Sequence, residues 1–142
     1  DIESRRFAEY TVPAVQPLAR RVLLYTSAHD RVLALSRNIS NSQRAGLHEG
    51  TPLVREGLET VDVTEGVSAG GWLQRIFGTH HAIRRASGTL FDLAGVVGTE
   101  RIAECRDALG TGTRGLDQVW RLTSIAPSLA ALEERCPTRT PR

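Results

Sequence analysis

The run Arg21-Val22-Leu23-Leu24-Tyr25-Thr26-Ser27 constrains the fold more than any other segment. It is short, apolar and rich in β-formers, which is how a strand buried inside a parallel sheet reads. Before it, residues 7–20 place Phe7, Tyr10, Val15 and Leu18 at a spacing compatible with an amphipathic helix, interrupted or restarted at Pro13 and Pro17. After it, Asp30 opens a second helix to about Ile39, with Val32, Leu33 and Leu35 inside it. A carboxylate at that junction suits an N-cap, because it accepts an orphan backbone N–H of the first turn. Helix, buried strand and helix in succession are the parts of a βαβ unit, so an α/β fold is expected.

The rest of the chain continues the alternation. Residues 38–50 are polar and contain glycine, and read as loop. Residues 58–64 alternate apolar with polar and read as the next strand, with Asp62 on an edge or solvent face. Residues 66–71 break the pattern, 72–77 read as a short helix, and 78–81 as a turn. Helices are expected at 89–97 and at 99–109, the latter ended by Gly110. A last short strand is expected at 119–123 and a weak helix at 128–135, before a disordered tail at 137–142.

Composition narrows the function classes. With 40% hydrophobic and 24% charged residues the chain reads as globular, and no apolar run approaches the roughly 20 residues that span a bilayer. All of its lysine-or-arginine positions are Arg, but acidic residues are interspersed and the net charge is only +2, so nucleic acid is not an expected partner. Cys105 and Cys136 are far apart in sequence and read as two free or partly buried thiols. No metal-binding spacing such as H-E-x-x-H and no glycine-rich phosphate loop occurs, so no metal or cofactor is expected. No signal-peptide core follows the charged start, and a cytoplasmic setting is expected. Met is absent, even at position 1, which reads as a processed product or an excised part.

Residues 21–37, from Arg21-Val22-Leu23-Leu24-Tyr25 through Ser27-Ala28-His29-Asp30 to Leu35-Ser36-Arg37, carry a resemblance. With Arg44-Ala45-Gly46-Leu47 and Glu56-Gly57-Leu58-Glu59-Thr60-Val61-Asp62-Val63-Thr64, they resemble a bacterial family of uncharacterised, esterase- or lipase-like α/β-hydrolases classed under a domain of unknown function. Gly78-Thr79-His80-His81, Thr89-Leu90-Phe91-Asp92-Leu93 and Val119-Trp120-Arg121-Leu122 match its closing segments more loosely. The resemblance covers residues 1–124 in order; residues 125–142 have no counterpart in it. It implies the C-terminal part of an α/β-hydrolase fold, with two or three strands flanked by helices.

In that fold the nucleophile precedes the acid and the acid precedes the histidine, each after its own strand. The resemblance puts the acid at Asp30 and the histidine at His80, with His81 as the alternative if the register slips by one. His80 would take a proton from a serine and return it to the leaving group, while Asp30 holds the imidazole's tautomer. The family's Gly-His-Ser-Tyr reads Gly-Thr-His-His here, and residues 66–74 read as inserted material. The family's nucleophile elbow would lie before Asp1. The expected partner is therefore a nucleophile-bearing N-terminal half, or a second copy, with a small ester-like substrate once the site is complete. Two other readings stand beside it. One is a non-catalytic remnant or binding module. The other is a self-contained hydrolase using Ser68, in Gly66-Val67-Ser68-Ala69-Gly70, which matches G-x-S-x-G but comes after Asp30 instead of before it.

Overall fold

Two parallel strands and the chain that joins them organise the molecule. The structure, a computed structural model, describes residues 2–67, 87–99, 101–123 and 126–136. Strand β1 (Leu23–Thr26) pairs in parallel with β2 (Glu59–Asp62), with Leu23 opposite Glu59 and Thr26 opposite Asp62. A hairpin of β3 (Gly112–Arg114) and β4 (Trp120–Leu122) completes the sheet: β4 runs parallel to β2, and β3 antiparallel to β4. The order is β1-β2-β4-β3, a mixed four-stranded sheet flanked by helices. The α/β character is as expected, and the added strand is β3.

The helical run before β1 is built in four pieces: α1 (Ser4–Arg6), a π-helical turn (Phe7–Thr11), α2 (Val12–Val15) and a 3₁₀ turn (Gln16–Leu18). Pro13 and Pro17 each lie at the start of a piece. A proline removes a backbone donor, so the hydrogen-bonding pattern changes where it enters while the chain remains helical. Ser4 N–H donates to the Gln43 carbonyl and Ala45 N–H to the Ile2 carbonyl, and Gln16 Nε2 donates to the Glu56 carbonyl. The run is thereby pinned at both ends to the chain between β1 and β2.

Helix α3 (Arg31–Ser40) follows β1 and ends at Asn41 in the left-handed region, φ 49°. Its residues Val32, Leu35 and Ile39 share a stripe that remains exposed. Beyond β2 come α4 (Thr64–Val67), α5 (Ser87–Thr99), α6 (Arg101–Leu109) and, after the hairpin, α7 (Leu129–Arg135). Helix α6 ends at Gly110, φ 67°, as the sequence predicts, and it packs on α5, β3 and α7. Val61, Val63, Trp120 and Leu122 form the buried cluster, with Leu23 and Tyr25 packed against it.

Cys105 and Cys136 are joined in a disulfide, Cα to Cα 5.8 Å, which corrects the expectation of two free thiols. Their separation of 31 residues is closed by α6 and α7 meeting in space, a contact that sequence spacing does not reveal. Disulfides persist in oxidising compartments and are rare in the cytosol, so the bond weighs against the cytoplasmic expectation. Among the described residues, no helix is long and apolar enough to cross a membrane.

Candidate functional site

The C-terminal ends of parallel strands are where α/β proteins gather chemistry, because loops there surround a common crevice. Strand β1 leads into Ser27, Ala28, His29 and Asp30, and β2 leads into Val63 and Thr64. Asp30 is 6% exposed and sits in extended backbone as the N-cap of α3, its Oδ1 accepting the Leu33 N–H at 3.0 Å. The structure thus places the predicted acid in a buried turn immediately after a parallel strand. The predicted His80, its alternative His81 and the candidate Ser68 lie outside the described residues, as does the helix expected at 72–77.

A second group of polar side chains meets at the same end of the sheet, around Asp62. Its Oδ1 accepts the Thr64 backbone N–H at 2.9 Å and the Thr64 hydroxyl at 2.5 Å, and lies 3.3 Å from His48 Nε2. The Thr64 hydroxyl in turn accepts the Ala28 N–H at 2.9 Å, so it ties the end of β1 to the end of β2. The Thr64 hydroxyl also lies 3.4 Å from His48 Nε2, and with its own proton given to Asp62 it can only accept there, so Nε2 carries a proton. The other ring nitrogen, Nδ1, is buried with no hydrogen-bond partner among the described residues. The arrangement fixes the His48 ring beside the Asp62 carboxylate. The Thr26 hydroxyl, on the residue opposite Asp62 across the strands, is a second buried polar atom without a partner among the described residues.

His48 was not legible in the sequence, where it falls inside a polar stretch that reads as loop. The available signal was local: Ala45 and Leu47, two apolar residues just before it, are both buried and carry it inward. Leu47 forms a parallel bridge with Ser27, and Ser27 N–H donates to the Gly46 carbonyl, which lays this loop along the end of β1. Asp62, expected on an edge or solvent face, is instead the acceptor at the centre of the group.

Below the sheet's core lies a buried ionic cluster. Arg106, fully buried on α6, donates from Nε and Nη2 to both oxygens of Asp92 on α5, at 2.7 and 2.9 Å. It also bonds Glu59 of β2 and lies over the Trp120 ring, 5.2 Å from its centroid. Tyr25 donates its hydroxyl to Asp92 Oδ2 at 2.7 Å, and Arg21 donates to Glu59 at 2.9 Å. Burial, reinforced by the Asp92 charge, pushes the Tyr25 phenol well above its ordinary value. Burial alone would pull the Arg106 guanidinium down, but Asp92 and Glu59 more than offset it and hold the charge. Every group in this cluster serves another within it, so its chemistry is that of a strut between helices and sheet.

No group of three or more His, Cys, Asp or Glu side chains among the described residues is placed to hold a metal ion. The chain matches no family model, no curated protein and no solved structure.

Proposed function

We propose that this chain is the C-terminal portion of an α/β-hydrolase acting on ester or related acyl substrates, contributing the acid and the histidine of a Ser-Asp-His triad. The observation that carries the reading is Asp30, a buried carboxylate in the turn after a parallel strand, where this fold places its acid. In this reading His80 accepts the serine's proton and Asp30 fixes its tautomer, while the serine comes from a nucleophile-bearing half.

Two structural features support the incomplete half. Glu59 N–H donates to the Val22 carbonyl and Val63 N–H to the Thr26 carbonyl, so even-numbered residues of β1 face β2. Leu23 and Tyr25 therefore turn their backbone groups to the outer edge, which no strand covers among the described residues. Helix α3, next in the chain, leaves Val32 51%, Leu35 61% and Ile39 79% exposed. A parallel strand is normally covered on both sides; here the loop at Leu47 reaches the β1 edge at Ser27 but no strand pairs with it among the described residues, which, with the exposed apolar stripe of α3, fits a sheet continued by further strands and helices.

A non-catalytic reading is favoured by the Asp30 cap, which by itself accounts for a carboxylate at that position. The two separate on Asp30→Asn in a protein that joins this chain to its nucleophile-bearing half. Asparagine keeps the cap but not the charge. The hydrolase reading expects ester hydrolysis to fall on the order of a thousandfold or more with the fold intact. Unchanged hydrolysis would leave Asp30 as a cap alone.

A further inference from the structure

The end of the sheet opposite Asp30 carries a cleft of about 570 Å³, where the chain enters β1, β2 and β4. Arg20, Arg21, Glu59, Arg114 and Trp120 are among the residues lining it. Three guanidinium groups therefore share a wall with one carboxylate. Both oxygens of that carboxylate are already engaged, Oε2 by Arg21 and Oε1 by the buried Arg106. Glu59 is thus fully committed before Arg114 is considered.

Arg114 is the distinctive member. It is exposed on β3, lies over the Trp120 ring 5.9 Å from the centroid, and its guanidinium has no carboxylate or hydrogen-bond partner among the described residues. Stacking on an indole positions the planar guanidinium while leaving its N–H groups available for a ligand. An adjoining cleft of about 330 Å³ shares Gly57, Leu58 and Arg114 and adds Arg55 and Glu56, so Arg114 stands on the wall between two hollows. Such a concave cationic surface concentrates anions. Arginine forks match the oxygens of phosphate, and a phosphate monoester brings nearly two negative charges to several guanidinium groups where a carboxylate brings one. The volume lies within the range that holds a small molecule.

We propose that this cleft is a binding site for a phosphate dianion, free or as the monoester of a small molecule, with Arg114 as its principal contact. The site uses neither Asp30 nor His80 and stands independently of the hydrolase reading.

Trp120 provides the test. The Trp72→Phe protein has Trp120 as its remaining tryptophan, and its emission reports on its surroundings, in which Arg106 is buried and Arg114 is exposed to a ligand. Inorganic phosphate, phenyl phosphate and acetate are titrated separately at constant ionic strength maintained with sodium chloride, with calorimetry as a second readout. The expected result is saturable binding of phosphate that Arg114→Gln weakens by at least about tenfold, the loss of a charge-assisted contact. Arg37→Gln, which removes an arginine paired with Glu49 elsewhere, should leave binding unchanged. Tighter binding of phenyl phosphate would mark a phosphorylated small molecule as the ligand, and equal binding would mark the free ion. The proposal is overturned if phosphate does no more than chloride, if acetate binds as well, or if Arg114→Gln and Arg37→Gln behave alike. Arg114→Lys, which keeps the charge but not the fork, guards against a folding defect: it should retain the fold and bind phosphate at an intermediate affinity, and undiminished affinity would also overturn the proposal.

Discussion

At Asp30 a single carboxylate oxygen closes the first turn of α3 by accepting the Leu33 N–H. Asparagine serves that position as well as aspartate, whereas alanine removes the acceptor. Asp30→Asn should therefore leave the unfolding midpoint in urea nearly unchanged, and Asp30→Ala should cost about 1 kcal/mol. Equal losses would mean that the charge and not the cap stabilises the native chain. The buried cluster gives a second prediction. Tyr25 keeps its proton in the native state above 10.0, where an unfolded tyrosine loses it, so its raised value is a stabilisation. That stabilisation is complete below about pH 10 and is lost as the pH rises toward the folded value. Thermal midpoints measured between about pH 8 and about pH 11 should fall less steeply in Tyr25→Phe than in the parent. Parallel declines would contradict this. Asp30 was legible because a strand followed by an aspartate and a helix is a local pattern. Arg106 was not, since its partners Asp92 and Glu59 lie 14 and 47 residues away and only the folded chain brings them together.

Helices and strands with a local period were the readable elements. Strands β1 and β2 fall inside the runs expected for them, and α3, α5, α6 and α7 form where apolar spacing or capping residues mark them. Strand β3 escaped because Gly112-Thr113-Arg114 carries no apolar alternation and its glycine reads as a break. That glycine is there for room: a Cβ on Gly112 would come within 2.9 Å of Leu122 Cδ2 and 3.1 Å of the Arg121 carbonyl oxygen. The turn beyond it is held by Gln118 N–H donating to the Gly115 carbonyl, with Gln118 at φ 64°, and Arg121 holds the Asp117 carboxyl down to about 2. The disulfide is the other element-scale feature that sequence concealed. It closes a 31-residue separation containing the whole β3–β4 hairpin, so its removal frees a loop of that size in the unfolded chain. Reduction, or Cys105→Ala with Cys136→Ala, should lower stability by about 3–4 kcal/mol in the chain-entropy treatment. A loss well below that, measured by chemical denaturation with and without reductant, would mean that the packing of α6 on α7 already holds the segment.

For the whole molecule, the sheet has two unlike edges. On one side the β3–β4 hairpin extends it; on the other, no strand pairs with β1 at Leu23 and Tyr25 among the described residues, while Leu47 bridges its end at Ser27. The two ends of the strands differ as well, with Asp30, His48 and Asp62 at the C-terminal end and the arginine cleft at the other. In the proposed hydrolase, Asp30 belongs to a site that further strands complete. Fluorophosphonate labelling tests this most directly, because such probes react with an activated serine whatever its substrate. The purified 142-residue chain and the protein joined to its nucleophile-bearing half would be labelled side by side and mapped by mass spectrometry. The account predicts no adduct on the chain alone and one adduct in the joined protein, on a serine outside this sequence and dependent on Asp30. An adduct on Ser68 of the isolated chain would contradict it and make this chain a complete hydrolase.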